Sequence, residues 1–592
     1  MIADFANSTG EPVFDDTLKE ALEVQLRQSP FLSVLPEQRI QGTLKLMGRR
    51  PGDRLTPELA RDLCQRTASK AMIAGAITGL GKSYVISLDA SNCRTGDVIE
   101  KQQVQADSKE AVLKALGSAA EQLRRGLGES LASIGKYDAP VREATTGSLD
   151  ALKSYSLGMA TRRQQGDAAS LPLFKKAVEQ DPDFALAHAR LSTVYNNLGE
   201  NGQARDHIIK AYALKDRVSE PERLYIVARY YSTAEPSAQK TIETYQLWNQ
   251  TYPNDFVPHS NLAVAYEGRN EHDKAAQEFR AAIALAPDEP LPRVSLAGVY
   301  LKQGQVDEAH KTLQDAIDRG LDSANIRIQL YLTAFFRHDE ADMARQIEAA
   351  QKFPEAFRML GAQINVSMYR GQLARARELA ERFETESIEK TGLKGSAAGT
   401  WADVAQGTAA LADAAAARLA VRRSLGLERG LNTLVNGALA LAFIGDVAES
   451  QKTVDEAKRL PFAMSSDALE AFQLTDAILK LRRGDRTAIE ALPPRIEEGD
   501  NEARFIAGVI NLQQDHADVA MEQFKQILDG RTRSFSMTRA LAPLFYGRAL
   551  AKLGKVSESR KAYDDFFASM KDADANLPIL LTARKEYSAL GS

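Results

Sequence analysis

One arrangement of apolar and small positions recurs along most of this chain. Aligned on it, the segments from Ala151, Ala185, Phe256 and Pro290 each place a leucine early: Leu157, Leu191, Leu262 and Leu296. A small residue follows at once, in Gly158, Ser192, Ala263 and Ala297. Tyr195, Tyr266 and Tyr300 come three positions further on, and Ala204, Ala275 and Ala309 open a second apolar stripe. Bulky Phe174, Ile208, Phe279 and Leu313 come next, then Ala177, Ala211, Ala282 and Ala316. Phe174 to Ile208 and Phe279 to Leu313 each span 34 residues.

Apolar residues three and four apart predict helices. Two antiparallel helices approach closely where one offers small residues at the crossing and the other bulky ones. Pro182 and Pro287 cannot continue a helix and end their units. A slightly longer unit, centred on Tyr245 and Trp248, ends at Pro253. Good units return at Asn501, with Gly508, Ala520, Phe524 and Ile527, and at Ala540, with Gly547, Tyr563 and Phe566. Between residues 325 and 492 the spacing drifts, but helix pairs stay legible. The expectation is eleven or twelve pairs over 149–571, closed by a capping helix near Leu577–Leu590. The Gly-Ala-rich stretch 391–403 is read either as a joint between two sub-solenoids or as an ordinary loop, so the expected divisions are 1–140, 149–390 and 391–592.

The first 140 residues follow another rule. Residues 18–30 are amphipathic at helical spacing and stop at Pro30; "FLSVLP" (31–36) predicts a short strand. Two helices follow, the second opened by Thr56 with Pro57 at its first position. "KAMIAGAITGLGKSYVISLDASNC" predicts a hairpin, "DVIEKQQVQADS" a third strand, and the stretch from Ser108 a long amphipathic helix. Ile2, Ala3 and Phe5 at the chain start read as a buried strand in the sheet interior, which implies that further sequence once preceded it. The fold class is mostly α: a solenoid behind a small α/β domain with a mixed sheet.

The repeat strongly resembles the tetratricopeptide repeat, which implies an α-α superhelix. The first domain resembles the amino-terminal domain of TolB and the flagellar outer-membrane protein FlgO, on "ADFANSTGEPVFDDTLKEALEVQL", "SPFLSVLP" and the hairpin segment. The combination looks most like the extracytoplasmic tail of bacterial receptor-like Ser/Thr kinases. That resemblance implies an upstream kinase and membrane helix in a parent protein, although no His-Arg-Asp or Asp-Phe-Gly kinase signature occurs in this chain. It leans the localisation toward extracytoplasmic; a chain standing alone would be cytoplasmic.

Chemistry changes little of this. The 592 residues carry 75 Lys and Arg against 79 Asp and Glu, so no basic excess points to nucleic acid. No run is long and apolar enough to cross a membrane, and no basic segment followed by an apolar one marks a secretory signal at Met1. "GAITGLGKSY" imitates a phosphate-binding loop, but Gly75 stands one place too far from Gly81, and Tyr84-Val85-Ile86 continues as a strand rather than a helix. The seven histidines do not cluster, and His188 and His259 fall at a packing position. Neither a catalytic constellation nor a metal or cofactor motif is expected. Cys64 and Cys93 fall near each other if the hairpin turns at Leu80-Gly81, so they are either a disulfide or two independent buried thiols.

By resemblance, the first helix of each pair lines an inner groove suited to an extended peptide or a helix. The groove residues expected on that basis are Tyr155, Met159, Arg162, Thr193, Asn196, Arg223, Tyr230, Val264 and Glu267. The functional expectation is a non-catalytic scaffold for a protein or peptide partner. The alternative is the ligand-sensing region of a membrane-anchored kinase or regulator.

Overall fold

The computed structural model describes residues 1–15, 17–50, 53–138, 146–460, 466–493, 496, 500–530 and 536–590. Two compact units divide it: Met1–Asn197 with Gln203–Leu296 and Gln314–Asp322, and the chain from Ser323 onward with Leu198–Gly202 and Ala297–Leu313.

The first unit begins with a four-stranded mixed sheet in the order β1 (Ala6–Asn7), β2 (Ala71–Leu80), β3 (Ser83–Asn92), β4 (Val98–Ala106). β1 runs parallel to β2, and the other pairs are antiparallel. Leu80 pairs with Ser83 across a two-residue turn, where Gly81 adopts φ +63°. The imitation phosphate loop is therefore the tip of a hairpin.

The first strand lies at the sheet edge, not in its interior. Ile2, Ala3 and Phe5 are buried all the same. Phe5 lies over Gly75, where an added Cβ would come within 2.4 Å of the ring. The outer edge of the strand is closed by the Asp4 N–H donating to the Leu55 carbonyl (3.2 Å) and the Leu55 N–H donating to the Asp4 carboxylate (2.7 Å). Residues 31–36 form no strand. Prolines bound them at 30 and 36 and limit ladder pairing.

Helix α1 (Thr17–Arg27) packs on α4 (Val112–Gly126), which covers β3 and β4. Leu18, Leu22 and Leu26 meet Leu116, Ala120 and Leu123 in this layer, all buried. α2 (Glu37–Leu46) and α3 (Pro57–Arg66) build a second small core with Met72, Cys64 and Cys93. The Cys64 and Cys93 sulfurs are bonded, with Cα atoms 5.7 Å apart. α5 (Leu131–Tyr137) precedes the helix pairs.

Four pairs follow in the same unit: α6 (Leu149–Gln165) with α7 (Asp167–Gln180), α8 (Ala185–Asn197) with α9 (Asn201–Ala213), α10 (Glu220–Thr233) with α11 (Ala238–Thr251), and α12 (Phe256–Glu267) with α13 (His272–Leu285). α14 (Pro290–Lys302) opens a fifth. The small-against-bulky pattern packs as its chemistry requires: a Cβ built on Gly158 would lie 2.9 Å from the Phe174 ring. The α/β domain shares one compact unit with these repeats rather than standing apart from them.

The second unit takes α15 (Val306–Asp318) as far as Leu313 and continues with α16 (Ala324–Phe336), α17 (Glu340–Ala350), α18 (Arg358–Tyr369), α19 (Leu373–Thr391), α20 (Gly395–Ala410) and α21 (Ala414–Leu427). It ends through α22 (Leu431–Phe443), α23 (Val447–Ala457), α24 (Ser466–Arg482), α25 (Asn501–Gln513), α26 (Ala517–Asp529), α27 (Met537–Lys552), α28 (Val556–Ser569) and α29 (Pro578–Ala589). A 3₁₀ turn at Arg486–Ala491 stands where α24 would have a partner helix. The stretch 391–403 forms the end of α19, with Gly392 left-handed at φ +69°, and the first turns of α20, with Ala397, Ala398 and Trp401 buried.

This unit closes on itself. One core joins Phe357, Phe383 and Trp401 to Phe505, Phe524, Phe566 and Leu580. α27 touches both α18 and α20. The Asp574 carboxylate accepts from the Ala374 N–H in the first turn of α19 (3.0 Å), and the Asp574 N–H donates to the Gly371 carbonyl (3.1 Å). A cap supplied from 200 residues away thus fixes that helix start.

Candidate interaction surface

The first turn of each first helix sets which side chains face inward. In α10 the start is fixed by a capping box: the Ser219 N–H and hydroxyl both donate to the Glu222 carboxylate (3.2 and 2.9 Å). That register puts Glu222, Tyr225 and Arg229 on one side of the helix. Tyr225 joins the previous pair there. Its hydroxyl is hydrogen-bonded to Thr193 at 2.5 Å, and the Arg190 guanidinium lies over its ring at 4.8 Å. Arg190 Nε also reaches the Tyr155 hydroxyl at 3.4 Å. Tyr155 itself is buried between Phe174 and Phe184.

The structure therefore brings Tyr155 and Thr193 together through Arg190 and Tyr225. Met159 is half-buried on the same helix as Tyr155. Arg162 pairs with Asp167 across the α6–α7 turn at 2.5 Å. Asn196 and Val264 are exposed, and Glu267 is half-buried. Arg223 and Tyr230 point elsewhere: Arg223 forks onto Glu220 with two bonds of 2.8 Å, and Tyr230 stacks on Tyr212 of α9 at 3.8 Å. They lie one residue out of register with Glu222 and Arg229. The Ser-x-x-Glu sequence at 219–222 is the local signal for the capping box that starts α10.

A polarised stripe from the α/β domain faces this surface. Glu20, Glu23 and Arg27 share one side of α1 at spacings of three and four. Glu23 and Arg27 pair at 2.6 Å and keep 22% and 40% of their side chains exposed, so their tips reach solvent although protein surrounds them. The acidic end faces Arg163 of α6 and Arg190 of α8. Arg27 lies near Asp255 at the start of α12, and both Arg163 and Arg27 act on Glu289 at the start of α14. Direct bonds hold the same approach. Lys153 Nζ donates to the Pro12 carbonyl (3.1 Å), the Tyr252 hydroxyl to the Gln28 carbonyl (3.4 Å), and Arg39 pairs with Asp288 at 3.6 Å. The Tyr137 ring meets Tyr252 edge-on at 6.1 Å.

The enclosure shows in the acids. Burial, with Glu23 beside it, pushes Glu20 up to about 7 against the pull of Arg163, Arg27 and Arg190. Burial raises Glu222 to about 8 despite its bonds from Ser219. Burial and the neighbouring Asp288 raise Glu289 to about 7 against Arg163 and Arg27. Behind the surface, His188 Nδ1 lies 2.9 Å from His207 Nδ1, and His188 Nε2 lies 3.0 Å from the Pro182 carbonyl. Burial lowers both imidazoles, His207 to about 4. His259 pairs with Glu278 at 2.6 Å.

In the second unit, Val509, Leu512, Phe545, Tyr563, Arg548 and Glu586 line a cavity of about 600 Å³. Glu586 accepts from Arg548 (3.0 Å) and from the Tyr563 hydroxyl (2.9 Å). Among the described residues no cluster of His, Cys, Asp or Glu could hold a metal ion, and no helix is long and apolar enough to cross a membrane.

Stacked antiparallel pairs with small-against-bulky crossings define an α-α repeat solenoid. Residues 258–329 match the tetratricopeptide repeat family, and the helix pairs on either side continue the same α-α arrangement. No curated protein sequence matches the chain. Among solved structures, it is similar to the type IV pilus biogenesis factor PilW (16% identity, 34% of this chain and 92% of that one, TM-score 0.26). It is also similar to the thermophilic tetratricopeptide-repeat protein TTC0263 of Thermus thermophilus (20%, 31% and 99%, TM-score 0.26). Cut9 in its complex with Hcn1 matches over 82% of this chain and 85% of that one, at 10% identity and a TM-score of 0.41.

Proposed function

We propose that the chain is a non-catalytic scaffold that binds a peptide or protein partner along the inner face of its first repeats. One observation carries the reading. That face carries the half-buried Arg190 and Arg229 on successive helices, with exposed Asn196 and Val264 beside them. Such a surface offers both anchors and directed polar contacts. The test places a photo-crosslinking amino acid at Asn196 or Val264 in the full chain, expressed in its native cell. Discrete adducts from both sites, absent when the same group replaces Lys210, support the reading. Adducts from Lys210 alone, or from no position, contradict it.

A second reading is a ligand-sensing region of a membrane-anchored kinase or regulator. It is favoured by the packing of the α/β domain against the repeats and by the Cys64–Cys93 bond, which persists best in an oxidising compartment. A melting-temperature shift of the full chain with a cell-wall fragment or metabolite, lost on disrupting the α/β domain, would favour this reading over the first.

A further inference from the structure

We propose that the free edge of the sheet, strand β4, is a docking surface for a second copy of this chain, and that two β4 strands pair antiparallel about a twofold axis at Gln103. This surface lies outside the repeats, and the proposal stands or falls apart from the scaffold reading.

The strand register decides which main-chain groups leave the sheet. Leu80 and Ser83 close a two-residue hairpin, so they exchange both hydrogen bonds. Alternation then turns the main chain of Val85, Ser87 and Asp89 toward β2, and that of Tyr84, Ile86, Leu88 and Ala90 toward β4. Ile77, opposite Ile86, fits this phase: its carbonyl points away from β3 and accepts from the Ser8 N–H (3.0 Å). The β4 partners of those four residues are Ala106, Val104, Gln102 and Glu100. Lys101, Gln103 and Gln105 therefore turn their N–H and C=O groups off the edge, and their side chains are exposed. Among the described residues no hydrogen bond reaches those main-chain groups. A row of free donors and acceptors is matched by one kind of partner, another extended strand.

The usual defences of an edge are weak here. No proline falls within 98–106. The bulge, at Ile99, sits near one end and leaves 100–106 regular. The Lys101 ammonium is drawn back across the sheet to Asp89 at 3.2 Å. On one face α4 covers the strand, with Glu100 packed so closely on Gly126 that an added Cβ would come within 2.3 Å of its side chain. The edge itself stays open.

A second copy fits this edge by its own symmetry. About Gln103, residue 101 pairs with 105 in both directions and 103 pairs with its counterpart, so every outward group of the regular stretch is used. Lys101 then faces Gln105, Gln102 faces Val104 and Glu100 faces Ala106, and no like charges meet. An axis at Glu100 or Lys101 would set identical charges opposite each other. An axis at Gln102 would set Gln105 against the bulged Ile99. A strand pair buries less than the roughly 1,600 Å² of a standard interface, so the dimer is reversible and favoured by concentration.

Sedimentation velocity of the full chain over a concentration series should show a reversible monomer–dimer equilibrium. Gln103→Pro removes one outward N–H and suits a strand position whose N–H leaves the sheet. It should weaken dimerisation at least tenfold while amide exchange in β3 stays unchanged. A native chain that remains monomeric throughout, or that dimerises no better than Gln103→Pro, would overturn the proposal. Cysteine variants repeat the test without relying on proline. Cys64 and Cys93 are bonded to each other, so an introduced cysteine is the one free thiol. Directly opposite residues of a hydrogen-bonded pair have Cα atoms about 5.5 Å apart, within disulfide reach. Gln103→Cys should therefore cross-link to a second copy under mild oxidation at least tenfold faster than Gln105→Cys. A mixture of Lys101→Cys and Gln105→Cys chains should cross-link faster than either chain alone. Equal rates at 103 and 105 would also overturn the proposal. The scaffold reading is decided separately, by the crosslinks from Asn196 and Val264.

Discussion

The two units use the same helix pairs and fill their inner faces in opposite ways. In the first, the α/β domain meets the repeats through Arg39–Asp288, Lys153 to Pro12 and a stripe of charge. In the second, late repeats meet early ones through Phe357, Trp401, Phe505 and Leu580 in one continuous core, with Asp574 capping α19. Apolar burial is worth roughly 25 cal/mol per Å² and comes apart only with unfolding. Half-exposed charge pairs are worth about 1 kcal/mol or less each and can be exchanged for others. A solenoid can thus carry one face sealed by apolar burial and another held by polar contacts.

The largest effect should come from breaking the sealed face. Phe566→Ala removes a fully buried ring and should destabilise the second unit by about 3–5 kcal/mol. The chain has two tryptophans, Trp248 in the first unit and Trp401 in the second, so single-tryptophan variants report each unit in a urea titration. The Trp401 transition should move and the Trp248 transition should not.

Removing the Cys64–Cys93 bond by double replacement with serine is the counterpart in the first unit. The bond closes a loop between residues 29 apart. Its loss should cost about 3 kcal/mol, chiefly by freeing the unfolded chain. Here the sheet amides should lose protection while the Trp401 transition stays in place.

Acidity should separate the faces next. Glu20, Glu222 and Glu289 hold their protons to about 7, 8 and 7 when folded but release them near 4.5 when unfolded. The folded state therefore binds more protons across that window, and the stability of the first unit falls as pH rises from about 5 to 8. His188 and His207 act at the other limb. Both are lowered below 6.5, so their contribution is lost as pH falls through the range toward about 4. Urea midpoints followed by Trp248 should show both limbs. A midpoint that rises steadily from pH 5 to 8 would contradict the assignment of the acids.

Asp574→Ala gives the smallest expected change, about 1 kcal/mol, from the lost cap on α19. Exchange at Ala374 and its neighbours should rise before that of the rest of the unit.

The repeat was legible because its physics is local. Gly158 against Phe174, Gly508 against Phe524 and Gly547 against Tyr563 each join residues of one pair, and spacing alone reveals them. The sheet and hairpin were legible for the same reason. The cap from Asp574 was not, since nothing in local spacing links residues 200 apart. The expected strand at 31–36 did not form; prolines at 30 and 36 bound the stretch and limit its pairing. Of the expected groove residues, Tyr155 and Thr193 are linked through Arg190 and Tyr225, while Arg223 pairs with Glu220 and Tyr230 stacks on Tyr212. The stripe on α1 could be seen in the spacing of Glu20, Glu23 and Arg27, but the residues it faces come from four other helices.

The central claim is that the α/β domain is held on the first repeats by polar and charged contacts. Because both native cysteines are bonded to each other, introduced ones can be labelled selectively. Spin labels at Lys82→Cys on the hairpin tip and Lys210→Cys on α9 report the separation of domain and repeats in the full chain. We expect one narrow distance distribution in the native background. It should broaden in Glu20→Arg/Glu23→Arg and narrow again when Arg163→Glu is added. A distribution equally narrow in all three chains would contradict the account.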